Sequence, residues 1–380
     1  MADPCISLLR DLIAIDSVNP SLVSGAAGEA QIADAIASHL RQLGLDAELH
    51  EIAPGRPNIV GVLEGSRPGR SLMFCGHTDT VGVAGMDAPF QSEERDGRIY
   101  GRGSQDMKSG VAAMIDAARV ARERGFDAGR LIIAAVVDEE YASIGADALV
   151  TKWGADAAVV TEPTDLQIAI AHKGFAWASV ETHGRAAHGS RPRDGRDAIL
   201  RMGRVLQRLE RLDRELQSCP PHPLIGTASL HAALIDGGRE LSSYPDRCRL
   251  QVERRTVPGE TGDAFRAEAE NIVRELVEED PEFTADVVLM FSRPAYEIAA
   301  TAALPVAMAD AARRGGVDPS MVGMSFWTDA AILGAAGIPS VLFGPGGAGL
   351  HSTEEYVITS DVIACRDVLA ELALTWCGGV

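Results

Sequence analysis

The chain has no apolar run approaching the roughly 20 residues that a membrane span requires, although 46% of its residues are hydrophobic. It has no surplus of positive charge either. Its 54 acidic and 35 basic side chains leave a formal net charge of -19, which argues against nucleic acid and anionic membrane surfaces as partners through plain repulsion. Its six cysteines (5, 75, 219, 248, 365 and 377) contain no C-x-x-C pair, so neither a disulfide framework nor a thiolate metal site is expected. The first residues carry no basic leader and no long apolar core, and the expected setting is reduced and cytoplasmic. No G-x-S-x-G elbow is present for a serine hydrolase. Internal repeats and low-complexity segments are absent as well.

What is present is a chain of 380 residues, long enough for two domains with proper cores. Ile32, Ile36, Leu40 and Leu43 recur at helical spacing over 29–43, ahead of Gly44. Strands are expected at about 46–52, 57–63 and 71–75, then a helix carrying Val111, Met114, Ile115 and Ala118 on one face. Apolar runs at 131–137 and 157–160 end in Asp138-Glu139-Glu140 and Thr161-Glu162-Pro163. Short buried strands alternating with helices predict a largely parallel α/β sheet, with sites outside the carboxyl ends of its strands.

From about 175 the pattern changes. A strand at 176–182 is followed by a helix with Ile199, Met202, Leu206, Leu209 and Leu212, then by strands near 227–235 and 246–254. A second helix (Phe265, Ala269, Ile272, Leu276) and a strand near 284–290 complete the order β-α-β-β-α-β. That order predicts a ferredoxin-like α+β satellite domain at 175–293, inserted into a catalytic domain made of 1–174 and 294–380. The α/β pattern then resumes with a helix near 302–314 and a strand at 339–343. A Gly-rich turn with His351 follows, then a last helix with Val362, Cys365, Leu369, Leu372 and Trp376 on one stripe.

Ligand-type residues gather where these strands end: His77, Asp79, Asp106, Glu139, Glu140, Glu162 and His351. Carboxylates converging on one edge without cations would repel one another and raise each other's pKa values. Two divalent metals remove that conflict. A neutral imidazole binds metal through one ring nitrogen, and a carboxylate two residues on, Asp79, is placed to hold the other ring N–H of His77. A mixed N/O donor set favours two Zn2+ per subunit, with Co2+ or Mn2+ as substitutes. Gly344-Pro345-Gly346-Gly347-Ala348-Gly349 also fits the dinucleotide fingerprint after a strand. The residues that follow, Leu350-His351-Ser352-Thr353, lack helical apolar spacing, so a dinucleotide site is not expected.

SVNP (17–20), GHTDTV (76–81), GRGSQDMKSG (101–110), VVDEE (136–140), TEPT (161–164), HKG (172–174), GRAAHGSRP (184–192), ERRTVPGE (253–260) and FGPGGAGLHSTEEY (343–356) occur in order along nearly the whole chain. Together they resemble the di-zinc amidohydrolase family of acetylornithine deacetylase, succinyl-diaminopimelate desuccinylase, glutamate carboxypeptidase and the aminoacylases. The resemblance implies that Asp106 bridges two zinc ions, with His77 and Glu162 on one and Glu140 and His351 on the other. It makes Asp79 the partner of His77, Glu139 the general base, and the 106–107 peptide bond cis. His188 would stabilise the oxyanion, in dimeric members from the other subunit, and Arg255 would hold a substrate carboxylate. Strand alternation places only one of Arg254 and Arg255 on the site's side. Gly346, Gly347 and Ser242 are the remaining substrate-side positions. The family usually carries Asn where Ser242 stands, and smaller residues than Ser104-Gln105 before the bridging Asp. The implied protein is a homodimeric deacylase of N-acyl amino acids or related small carboxylate-bearing amides. The alternative is a metallo-dipeptidase or a glutamate-carboxypeptidase-like exopeptidase.

Overall fold

Strands that are apolar on both faces make the centre of the first of two compact units in the structure, a computed structural model that describes residues 3–379. This unit comprises the residues through Ile170, Ile298–Val322 and those from Thr328 on. The second comprises Ala171–Glu297 and Gly323–Trp327. The sequence places the insert at 175–293 and gives no sign of the 323–327 segment. That segment is held by Lys173, whose backbone N–H donates to the Met324 carbonyl (3.2 Å), and by Trp327, whose Nε1 donates to the Pro294 carbonyl (3.1 Å).

In the first unit, Ala128–Val136, Arg67–His77, Ala158–Val160 and Ser340–Leu342 lie side by side in that order and run parallel. Arg56–Glu64 and Asp46–Ala53 extend the sheet beyond Ala128–Val136 in antiparallel fashion, and on the other side Leu342 pairs antiparallel with Ala169. The parallel character lies at the centre because only there do helices cross between strands. Lys108–Glu123 leads from Arg67–His77 to Ala128–Val136, and Ile144–Leu149 leads on to Ala158–Val160. Asp46–Ala53 and Arg56–Glu64 are joined instead by a tight turn at Pro54-Gly55. The four parallel strands therefore end along one edge, followed by Thr78-Asp79, Asp138–Glu140, Glu162 and Gly344.

Helices cover this sheet with the residues their periodicity marks. Ala30–Gln42 buries Ile32, Ala33, Ile36, Ala37 and Leu40, and the chain leaves it at Gly44 with φ +77, a conformation glycine adopts without strain. The last helix, Thr359–Gly378, is buried over much more than the expected single stripe. Val368, Ala370, Ala373 and Cys377 join Val362, Cys365, Leu369, Leu372 and Trp376, because the helix packs on Lys108–Glu123 and on the strand Arg67–His77 at once. A small antiparallel sheet that the sequence did not suggest joins Gly347–Ala348, Tyr356–Ile358, Arg98–Tyr100 and Glu93–Arg95. Strands of two or three residues are too short to show a period.

The second unit is an antiparallel sheet in the order Ser229–Gly237, Arg247–Thr256, Gly174–His183, Thr284–Arg293, with two helices, Ala198–Ser218 and Gly262–Glu279. Its core joins Ala176, Ala178, Val180, Leu250 and Val252 to Met202, Val205, Leu209, Phe265, Ile272 and Leu276 from the helices. Alternation sends Arg254 to the helix side, where it is buried and bonded to Glu260 (2.7 Å) and Glu268 (3.0 Å). Arg255 points the other way, paired with Glu253 and over the Phe175 ring at 5.7 Å. Among the described residues no helix is long and apolar enough to cross a membrane.

Gly110 illustrates how tightly the first unit is drawn together. It lies in the first turn of Lys108–Glu123, where a Cβ would overlap the carbonyl oxygen of Thr161, the residue before Glu162. Alanine gains about 0.5–1 kcal/mol over glycine within a helix, but overpacking costs about 1–3 kcal/mol, so the clash decides. Gly110→Ala is expected to lower the urea midpoint of unfolding. An unchanged or raised midpoint would show that the helix can retreat freely.

Candidate metal centre

The strand Arg67–His77 delivers His77 to the edge of the sheet with 1% of its surface exposed. Its Nε2 lies 3.1 Å from Asp106 Oδ1, 3.9 Å from Glu139 Oε2 and 4.0 Å from Glu162 Oε1. Across the site, Nε2 of His351 stands 3.1 Å from Glu140 Oε2 and 3.4 Å from Asp106 Oδ2. The two oxygens of Asp106 thus face two different histidines. Donor atoms of His77, Glu139 and Glu162 all lie within 4.8 Å of one another, and so do those of His77, Asp106 and Glu140. Oxygen-rich groups with an imidazole beside them suit divalent cations, which would also relieve the crowding of negative charge.

Asp79 takes a different part from the one its spacing suggests. Nδ1 of His77 meets the backbone carbonyl of Asp79 at 2.9 Å, while the nearer carboxylate oxygen is 3.6 Å away. That carboxylate instead accepts the backbone N–H groups of Glu139 (3.1 Å) and Glu140 (3.2 Å) and the side-chain amide of Asn19 (2.8 Å). At a turn that leaves the strand, these two N–H groups have no ladder partner, and a buried carboxylate satisfies both. Either way Nδ1 of His77 carries a proton, and Nε2 is the nitrogen that faces Asp106.

Glu355 does the same for the other half of the site. Buried, it accepts the N–H groups of Gly103 (3.0 Å), Gln105 (2.8 Å) and Asp106 (3.0 Å) and an N–H of Arg102 (2.6 Å). Arg102 in turn donates to the carbonyl of Ser352 (2.9 Å), beside His351. The peptide bond between Asp106 and Met107 is cis. Gly344 lies so close to the carbonyls of Thr161 and Glu162 that no side chain fits there, and Gly347 similarly abuts the Tyr356 carbonyl. Gly346 donates its N–H to Asp361 (3.3 Å), and the glycine run continues into strand rather than helix, which removes the dinucleotide reading.

Asn19, Glu355, Arg102 and Asp329 were not singled out as site residues from sequence. Asp329 is buried close enough to Glu139 and Glu162 to disfavour their charged forms. In the second unit His188 and Ser242 share one corner: His188 bridges Ser243, and Gly189 N–H donates to the Ser242 carbonyl (2.7 Å). His188 and Ser242 are both exposed.

Burial pushes the carboxyls of Glu139 and Glu162 well above the usual range against the pull of His77, and neighbouring carboxylates push in the same direction. Glu140 is raised to about 7, by burial and then by Asp106. Hydrogen bonds to Asp106 and Glu140 lift His351 to about 10. Burial opposes the charge on His77, but its bond to Asp106 and the nearby Glu139 and Glu162 outweigh that and raise it well above its ordinary value. Asp106 goes the other way, held low by both histidines despite its burial.

A donor set of this kind, on the carboxyl edge of an α/β sheet, suits metal-assisted hydrolysis. Residues 73–375 match the profile of peptidase family M20/M25/M40. The chain is 33% identical to acetylornithine deacetylase of Myxococcus xanthus, over 98% of this chain and 97% of that one. It is 28% identical to N-formyl-4-amino-5-aminomethyl-2-methylpyrimidine deformylase of Bacillus subtilis, over 90% and 88%. The crystal structure of a tripeptidase from Staphylococcus aureus superposes with a TM-score of 0.82 at 21% identity, covering 99% of this chain and 98% of that one. The chain belongs to the peptidase family M20/M25/M40.

In the metal-free cluster at pH 7 His351 holds its extra proton and Glu140 part of one, and His77, Glu139 and Glu162 keep theirs to a higher pH than such groups ordinarily do. Metal uptake must displace them, and calorimetry in buffers of different ionisation enthalpy should show about two or more protons released per chain. The raised carboxyls and histidines bind more protons folded than unfolded. Metal-free stability is therefore fullest below their ordinary values and falls as pH rises through about 7 for Glu140. Chelation should lower the melting temperature more at pH 7 than at pH 5. A release of no protons, or a gap that widens on acidification, would mean these groups do not share a metal site.

Proposed function

We propose that the protein is a two-zinc amidohydrolase that removes the acyl group from an N-acyl amino acid or a related small amide with a free carboxylate, working as a cytoplasmic homodimer. The observation that carries this reading is the surplus in the donor set. Asp106 faces both histidines, Glu162 and Glu140 stand one on each side, and one carboxylate, Glu139, is left over. In this assignment His77, Asp106 and Glu162 hold one zinc, and Asp106, Glu140 and His351 the other, with Co2+ or Mn2+ as substitutes. Distance alone would allow Glu139 to take the place of Glu162 beside His77. The resemblance to the amidohydrolases favours Glu162 as the metal donor.

Bound there, the cations would acidify a water and polarise the amide carbonyl. Glu139 takes the proton of the attacking water and passes it to the leaving amine. Asp79 keeps Glu139 and Glu140 in place through their backbone N–H groups.

For the oxyanion, His188 is suited as a donor. Its Nδ1 accepts the N–H of Ser190 (3.2 Å), so the neutral ring carries its proton on Nε2. Arg255 offers the guanidinium fork for a substrate carboxylate, since Arg254 is committed to Glu260 and Glu268. Ser242, Gly346 and Gly347 complete the substrate side, and a shorter Ser242 fits a substrate contact different from that of an asparagine. The acyl amino acid itself is suggested by the similarity to acetylornithine deacetylase. A homodimer is suggested by the edge strand Ser229–Gly237, which has a neighbour on one side only and exposes Leu234 and Ile235.

Two experiments test this reading. Glu139→Gln should retain two zinc equivalents and lose about 10²–10⁴-fold in kcat, measured on whichever N-acetyl, N-succinyl or N-formyl amino acid the wild type cleaves best. Loss of a zinc with Glu139 would make it a ligand, and a preference for dipeptides would replace the deacylase with an exopeptidase. Secondly, inactive His188→Ala and Glu139→Gln homodimers, mixed under conditions of subunit exchange, should recover roughly a quarter of wild-type activity if each subunit lends its His188 to the other. Background activity despite proven exchange would assign His188 to its own chain.

A further inference from the structure

Asn19 contributes no atom to the donor set, yet it is fully buried and touches both carboxylates that brace the Glu139-Glu140 turn. Its side-chain nitrogen donates one N–H to Asp79 Oδ2 (2.8 Å) and the other to Asp138 Oδ1 (3.1 Å). Asp79 holds the backbone N–H groups of Glu139 and Glu140. Asp138, at a left-handed φ of +70, holds the far side of the same turn. Its carbonyl accepts the N–H groups of Tyr141 (3.3 Å), Ala142 (3.0 Å) and Ser143 (2.6 Å). The remaining partners of the Asp138 carboxylate are Arg56 (2.8 Å) and Ser21 (3.3 Å). Arg56 itself is committed to the buried Glu29.

Two buried carboxylates that flank one turn repel each other unless a hydrogen-bond donor stands between them. A neutral amide with two N–H groups serves both at once, which a hydroxyl with one proton cannot do. The orientation of the amide is set from the opposite end. Asn19 Oδ1 accepts the Ser21 N–H (2.8 Å), and its backbone N–H is fastened to the Thr80 carbonyl (2.9 Å), one residue past Asp79. The NH2 group can therefore face only the carboxylates.

We propose that Asn19 is a positioning residue for both Glu139 and Glu140: it fixes the Asp79 and Asp138 carboxylates, and through them the turn that carries the base and one metal donor. This rests on the roles given to those two glutamates above. Asn19→Ala and Asn19→Ser, each in the full-length zinc-loaded protein, test it with three readouts: kcat and KM, zinc affinity by chelator competition, and thermal midpoint. Asn19→Ala is expected to lower kcat about 10–100-fold, with KM nearly unchanged, and to weaken one of the two zinc equivalents about tenfold or more. Asn19→Ser, able to serve one carboxylate, should fall between alanine and the wild type in kcat and in zinc affinity. A lowered thermal midpoint with kcat and both zinc affinities intact would overturn the proposal. Failure of both variants to fold would equally assign Asn19 to stability alone. A wild-type protein that bound no zinc or cleaved no amide would instead defeat the proposed function, before any variant is compared.

Discussion

Negative charge gathered at one edge of a sheet is the constraint around which the first unit is built. Asp79, Asp106, Asp138, Glu139, Glu140, Glu162, Asp329 and Glu355 are all buried or largely so, close to His77 or to the turns beside it. Such a concentration of carboxylates is unfavourable unless each one has a partner that pins its charge. The molecule divides the task. Asp106, Glu139, Glu140 and Glu162 face inward, toward the two histidines and a place for cations. Asp79, Asp138 and Glu355 face backbone N–H groups, an asparagine and two arginines.

This second group explains why the first can be held so closely. A carboxylate that accepts two or three main-chain N–H groups fixes a loop more tightly than side-chain packing does, because it ties the peptide planes themselves. Asp79 does so for the turn after Ala128–Val136, and Glu355 for the turn that carries Asp106. The small sheet of Gly347–Ala348, Tyr356–Ile358, Arg98–Tyr100 and Glu93–Arg95 adds a second tie between the segment that leads to the Asp106 turn and the one that carries His351 and Glu355. His351, at φ +58 and with about half its side chain exposed (55%), is the least enclosed of the donors, so that it depends on these ties most.

Much of this was legible in the sequence, for a physical reason. A strand buried on both faces must be apolar throughout, so the polar residues that interrupt it, His77, Asp138–Glu140 and Glu162, mark where it leaves the sheet. The order of elements in the second unit was legible for the same kind of reason, and alternation along Arg247–Thr256 separated Arg254 from Arg255 once the helix side was known. What sequence did not reveal were partners remote along the chain. Asn19 lies 60 residues from Asp79 and 119 from Asp138, and nothing local marks a buried amide with two carboxylates to serve. Spacing alone also did not reveal that the Asp79 carboxylate accepts the N–H groups of Glu139 and Glu140, because i to i+2 proximity to His77 says nothing of them.

The bonds from Glu355 to the loop of Asp106 span about 250 positions of chain. A site closed by contacts so distant in sequence costs loop-closure entropy before it returns any binding energy, which places its assembly late in folding. During synthesis the ribosome will have released His77, Asp106, Glu139, Glu140 and Glu162, and the whole of the second unit, before His351 and Glu355 emerge. A nascent chain therefore carries most of an anionic pocket with its closing segment missing.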